Sequence, residues 1–220
     1  MSTAMSVDGK IGTRARTRVA ISSSEDSARV DALRAACDAV LVGGVTLRHD
    51  DPRLTVKDPR HVKKRVSAGL PPQPLKVTVI GKLTSAMGKR FFRTGGCKVV
   101  FTTARTSARL ARMLAGIADV RVVGKSKVDL RKAMRILRKE YKVRRLLLEG
   151  GATMNFEMLA AGCVDRLRVA VAPMVLGGEG MPTLVGGAGF DPKNPLRLRH
   201  RRSETVGGMI ILHFDVVRRS

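Results

Sequence analysis

Leu146-Leu-Leu-Glu149-Gly-Gly-Ala-Thr-Met-Asn155 reads as a strand that ends in an acid, turns on two glycines and enters a helix. Its apolar run has no alternation, the pattern of a strand covered on both faces in a parallel sheet. Glycine lets backbone approach a ligand closely, and the N–H groups at a helix start attract phosphate. Glu149 falls at the carboxyl end of the strand, where ligands bind in open α/β sheets. A plain strand-to-helix turn has the same signature, because a glycine pair alone is a weak motif.

The pattern repeats outward from this stretch. Ala39–Val42, Lys76–Ile80, Lys98–Thr102, Val120–Val123, Arg145–Glu149 and Leu167–Ala172 are short runs rich in Val, Leu or Ile. Helical patterns fall between them. Ser24-Glu-Asp offers a cap and first-turn acids, followed by Val30, Leu33 and Cys37 on one face. Leu110, Leu114 and Ile117 share a face, as do Leu130, Ala133, Met134, Leu137 and Tyr141. Leu196–Arg202 and Met209–Val217, joined at Gly207-Gly208, predict a terminal hairpin closing the sheet edge. Lys57–Pro74 is expected as a surface excursion. The fold class expected is α/β, a mostly parallel central sheet flanked by helices with a C-terminal antiparallel hairpin, built as a single domain over 1–220.

Composition narrows the function classes. The chain has 220 residues, 44% hydrophobic, with no apolar run near membrane length. Its first residues carry no secretory pattern, so a cytoplasmic protein is expected. Cys37, Cys97 and Cys163 read as free thiols. His49, His61, His200 and His213 have no metal-ligand spacing, so no metal is expected. The net charge of +24 raises nucleic-acid binding as a reading from another class. Against it stand the absence of Trp, the single Tyr and the spread of the charge along the chain. There is no P-loop, and no G-x-G-x-x-G opens the first helix.

Three more segments offer chemistry. Val42-Gly-Gly-Val-Thr46-Leu-Arg-His-Asp50-Asp-Pro-Arg-Leu-Thr55 follows a strand as the Gly150-Gly151 turn does. Thr46 supplies a hydroxyl. Asp50, with Glu149, is a carboxylate able to hold a polar base or to donate a proton; the alternative is Asp50 or Asp51 as a turn or helix cap. Pro173–Pro182 is a glycine-rich loop that either covers a ligand or merely connects. Met5-Ser-Val-Asp-Gly-Lys-Ile-Gly12 holds an Asp8-Gly9 turn, with Lys10, Arg14, Arg16 and Arg18 near it.

Together M-S-V-D-G-K, D-D-P-R-L-T-V at Asp50–Val56, L-L-L-E-G-G-A-T-M-N and A-P-M-V-L-G-G at Ala172–Gly178 resemble the riboflavin-biosynthesis pyrimidine reductases. These are the stand-alone archaeal and fungal type and the reductase half of the bacterial deaminase–reductase. The likeness runs from Met5 to about Asp215. It implies a dihydrofolate-reductase-like fold and a homodimer. It also implies NADPH-dependent reduction (NADH being admitted) of the ribosyl group of 2,5-diamino-6-ribosylamino-4(3H)-pyrimidinone 5′-phosphate to ribityl. By matching motifs, Thr46, Asp50, Gly81, Lys82, Leu83, Val128, Gly150, Gly151, Ala152 and Thr153 would bind the cofactor. Thr17, Arg34, Asp50, Leu54 and Glu149 would bind the substrate, with Asp50 or Glu149 as the catalytic acid. The chain lacks the deaminase zinc signature, so a stand-alone reductase is implied. Within the fold, the alternative is a dihydrofolate-reductase-like enzyme on another pterin or pyrimidine.

Overall fold

A computed structural model describes residues 1–13, 19–81 and 89–217. All six strand-length apolar runs form strands. The chain divides into two compact units, Asp31–Leu148 and Met1–Val30 with Glu149–Ser220.

Asp31–Leu148 is built on five parallel strands: β2 (Ala39–Gly43), β3 (Leu75–Ile80), β4 (Lys98–Thr102), β5 (Asp119–Val122) and β6 (Leu146–Leu148), ordered β5-β4-β3-β2-β6. β2 lies between β3 and β6, with Ala39 opposite both Leu75 and Leu146. Its Ala-Val-Leu-Val run is fully buried, which is why the segment shows no polar alternation. The connecting helices are α2 (Gly44–Asp50), α3 (Pro59–Ser67), α4 (Lys89–Arg93), α5 (Ala104–Met113) and α6 (Leu130–Lys139). Val40, Val42, Leu47, Ile80, Phe91, Val100, Leu110 and Leu147 share one core.

Two helices depart from expectation. α2 occupies the stretch read as a turn, and α3 the stretch read as a surface excursion. α3 is almost wholly polar, so no apolar stripe announces it. It is started by Pro59 at its first position and by Asp58, whose carboxylate accepts from the Arg60 amide at 2.8 Å. Its Arg65 turns inward and donates to the carbonyls of Ala35, Cys37 and Pro71 at 2.7–2.9 Å.

The second unit carries four strands: β1 (Ser2–Ser6), β7 (Arg166–Ala172), β8 (Leu198–Val206) and β9 (Met209–Val216), ordered β1-β7-β9-β8. β1 runs parallel to β7, while β7–β9 and β9–β8 are antiparallel. The hairpin forms at Gly207-Gly208, with Val206 opposite Met209. It joins β7 and β1 rather than the edge of the parallel sheet. α7 (Ala152–Ala160) belongs to this unit. α1 (Ser24–Ala35) begins in it and ends in the other. The cap of α1 is Ser23, not Ser24: Ser23 Oγ accepts from the Asp26 amide at 3.1 Å.

Cys37, Cys97 and Cys163 are not joined in disulfides. Among the described residues no helix is long and apolar enough to cross a membrane, and no three His, Cys, Asp or Glu residues gather as a metal cluster. The charge is unevenly shared. Residues 31–148 hold 28 Lys and Arg against 8 Asp and Glu, a net +20 of the chain's +24.

Candidate active site

The carboxyl ends of the parallel strands place most candidates of the Asp31–Leu148 unit. β2 ends at Gly43, which precedes α2 without a side-chain cap. Thr46 stands in the first turn of that helix, half-buried, and Asp50 is its last residue, exposed. A Cβ on Gly44 would come within 2.8 Å of the Val79 carbonyl, so α2 can start against β3 only with glycine there. Gly81 follows β3 and is exposed, and Val128 lies buried past β5. Thr17, Lys82 and Leu83 lie outside the described residues, as do Arg14, Arg16 and Arg18.

Asp50 and Asp51 have separate surroundings. The Asp51 carboxylate accepts from the backbone amides of Arg90 and Phe91 at 2.8 and 3.0 Å, closing the start of α4. The cap reading therefore belongs to Asp51. The Arg90 guanidinium donates back to the carbonyls of Asp51 at 3.0 Å and Asp50 at 3.2 Å. Asp51 and Leu54 both have left-handed backbone, at φ 42° and 50°. For non-glycine residues such conformations cost about 1–3 kcal/mol each and persist where their surroundings hold them. Here the holders are numerous. Thr94 Oγ1, which donates to the Arg90 carbonyl at 2.7 Å, also lies 3.4 Å from the Arg53 carbonyl. Arg34 Nη1 donates to the Thr55 carbonyl at 3.2 Å. The Gln73 carboxamide pairs with both backbone groups of Val56 at 2.7 and 3.1 Å. Arg34 is thus joined to the D-D-P-R-L-T segment. The Leu54 side chain packs into the unit's core at 1% exposure.

The other unit holds the Glu149–Thr153 turn. Glu149 is half-buried and Gly150 has φ 93°, a conformation that favours glycine. The Gly150–Gly151 peptide is cis. Gly151 precedes α7 without a side-chain cap, and Ala152 and Thr153 form the first turn. The Ala152 carbonyl accepts from the Gly186 amide at 3.0 Å, tying this turn to the segment after the glycine-rich loop. Asn155, fully buried, donates from Nδ2 to the Leu184 carbonyl at 2.8 Å. A carbonyl only accepts, so Nδ2 must face it, and this leaves Oδ1 without a partner among the described residues. That oxygen lies 3.7 Å from where a Cβ on Gly150 would stand.

The glycine-rich loop is anchored through the M-S-V-D-G-K segment. The Asp8 carboxylate accepts from Ser6 Oγ at 2.6 Å and from the Leu176 and Gly177 amides at 3.0 and 2.8 Å. These bonds to the charged form, Ser6 first, hold the Asp8 carboxyl down to about 2. Sequence reasoning did not find the roles of Asp8, Arg90 and Asn155, and it offered the cap role to Asp50 and Asp51 alike. Asp8, Asp51 and Asn155 lay inside the quoted motifs, but nothing in their spacing separates a residue that meets ligand from one that holds its neighbours.

Residues 1–212 match the family model described as RibD C-terminal domain. The chain belongs to the RibD C-terminal domain family. Among its relatives is the 2,5-diamino-6-ribosylamino-4(3H)-pyrimidinone 5′-phosphate reductase of Methanothermobacter thermautotrophicus, 37% identical over 98% of this chain and 96% of that protein. The protein of the same name from Archaeoglobus fulgidus is 34% identical over 86% of each chain. The fold is shared with the crystal structure of a pyrimidine reductase-like protein from Corynebacterium diphtheriae, with a TM-score of 0.78, 20% identity and coverage of 99% and 91%. This member of the RibD C-terminal domain family is an oxidoreductase with the dihydrofolate-reductase-like α/β fold expected from its motifs.

Proposed function

We propose that the chain reduces the ribosyl group of 2,5-diamino-6-ribosylamino-4(3H)-pyrimidinone 5′-phosphate to ribityl, with NADPH, in riboflavin biosynthesis. The observation that carries this reading is the 37% identity, over nearly the full length of both chains, to an archaeal protein of that name. Residues 1–220 would act as one reductase domain, in a cytoplasmic homodimer.

The residues present suit a cofactor of this kind. α2 and α7 both start at glycine caps that make no side-chain cap hydrogen bond, and backbone amides at a helix start attract phosphate groups. Thr46, Gly81, Lys82, Leu83, Val128 and the Gly150–Thr153 turn are assigned to its binding. When bound, NADPH supplies the hydride from its nicotinamide ring. The protein's share is to orient the sugar and to supply polarity and a proton. Asp50, Leu54, Glu149, Arg34 and Thr17 are assigned to the substrate, with Asp50 also near the cofactor. Asp50 and Glu149 are the two carboxylates available to move the proton.

NADPH oxidation measured with the ribosylamino-pyrimidine phosphate, with dihydrofolate and with NADH as the alternative reductant tests the proposal. Turnover with the pyrimidine phosphate is expected, and Glu149→Gln should lower kcat by about 100-fold, the scale of a lost general acid. Turnover with dihydrofolate alone would replace the substrate assignment. Wild-type turnover in Glu149→Gln would remove Glu149 from the mechanism.

A further inference from the structure

We infer that Asp51 and Arg90 are positioning residues for the reductase reaction, and that they set where the Asp50 carboxylate stands. The inference rests on the assignment of Asp50 to the substrate.

Asp50 ends α2, and the chain leaves it through two left-handed residues, Asp51 and Leu54. Such a path has no regular hydrogen-bond ladder to define it, so its shape comes from side chains reaching its backbone. Asp51 and Arg90 do this reciprocally. The Asp51 carboxylate takes the first amides of α4, and Arg90, from that same turn, takes the carbonyls of Asp50 and Asp51. Four bonds of 2.8–3.2 Å thus close a bracket across about 40 residues of sequence. Two of them use a carboxylate and two a guanidinium, so all four are charge-assisted.

The far end of α4 is fixed as well. Lys76, fully buried on β3, donates from Nζ to the Phe91 carbonyl, the Thr94 carbonyl and Thr94 Oγ1 at 3.0, 2.9 and 2.6 Å. α4 is therefore a short strut tied to β3 at one end and to the Asp50–Asp51 backbone at the other. Of the two adjacent aspartates, Asp51 accepts from the amides of α4, and Asp50 is the exposed last residue of α2. A strut that locates a reacting group changes turnover through placement, and displacements of about 1 Å are enough to cost large factors in rate.

The test uses the full chain with Arg90→Gln, Arg90→Lys, Asp51→Asn and, as reference, Asp50→Asn. KM for each ligand, kcat, the pH profile, the melting temperature and hydrogen exchange of the amides at 50–55 are measured. Arg90→Gln and Asp51→Asn should lower kcat/KM for the pyrimidine phosphate by about tenfold or more, shift the acid limb of the pH profile and speed exchange at 50–55. Arg90→Lys should recover part of the loss because it keeps one charged donor. If Asp50→Asn is impaired while folded Arg90→Gln and Asp51→Asn keep wild-type kcat/KM and pH profile, the positioning role is overturned and the site assignment stands. Wild-type turnover in Asp50→Asn would instead remove Asp50 from the site and the inference with it. If the pyrimidine phosphate is not turned over at all, unchanged exchange at 50–55 in the Arg90 variants still overturns the bracket. Should Asp51→Asn fail to fold, the two Arg90 variants decide the matter.

Discussion

Arg168 on β7 and Asp26 in the first turn of α1 form an ion pair whose side chains are only 8% and 1% exposed. Arg168 also reaches Ser2 Oγ at 3.3 Å, while Asp26 Oδ2 has no partner among the described residues. By sequence, Asp26 is one of two first-turn acids serving the helix dipole. In the structure it is a buried counter-charge that joins α1 to β1 and β7.

Removing one partner of a buried pair leaves the other charge stranded, at a cost of about 3–5 kcal/mol. Asp26→Asn and Arg168→Met are each expected to destabilise the chain by that amount in urea unfolding followed by circular dichroism. The double replacement by Leu and Met should recover much of the loss. A single replacement costing under about 1 kcal/mol, the range of exposed pairs, would show that the pair is not sealed from water.

Lys76 makes stability depend on pH. Burial pushes its ammonium down from 10.5 to about 8. Between those values the unfolded chain holds the proton and the folded chain has shed it. The cost of burying the charge is therefore fully present below about 8 and fades as pH rises through that window. Relative to Lys76→Met, the wild type should gain stability from pH 8 to 10.5, with a slope of up to about 1.4 kcal/mol per pH unit. Parallel stability curves for the two proteins would refute this.

Asp8 acts in the opposite sense. Its carboxyl is held down to about 2, so the bonds to Leu176 and Gly177 are intact above the ordinary range near 3.8 and are lost as pH falls toward 2. Asp8→Asn should speed hydrogen exchange at those two amides about tenfold at neutral pH, since charge-assisted acceptors hold amides more strongly than neutral ones. The β7–β9 amides should be unaffected. Unchanged exchange at Leu176 and Gly177 would mean that the loop keeps its shape without the latch.

The parallel sheet was legible because β2, β4 and β6 are buried on both faces and their apolar runs are correspondingly uninterrupted, while β3 keeps Val77, Val79 and Ile80 around the polar Lys76 and Thr78. β1 was not, since Ser-Thr-Ala-Met-Ser carries little β preference. It becomes a strand by pairing with β7, from Ser2 opposite Arg168 to Ser6 opposite Ala172. α3 lacks an apolar stripe, yet Asp58-Pro59 is a readable start signal.

The candidate site was legible as segments and less so as residues. Thr46, Gly81 and the Gly150–Thr153 turn stand at strand ends or helix starts, while Val128 lies in the loop between β5 and α6. The division between Asp50 and Asp51 was not readable, because two adjacent carboxylates look alike until the amides of a helix 40 residues away are seen to claim one of them. The buried cations Lys76, Arg65 and Arg168 were hidden for the same reason: sequence assigns charged residues to the surface, and only the carbonyls and carboxylates around them reverse that.

The lopsided share of charge has a kinetic consequence. With a net +20 in residues 31–148, an incoming polyphosphorylated molecule is drawn toward one part of the chain before any atom touches. That pull extends only about 10 Å at 0.1 M salt and shrinks as salt rises. Encounter rates with multiply anionic ligands should therefore be fast in dilute buffer and fall steeply with ionic strength, even where the contacts finally made are unchanged.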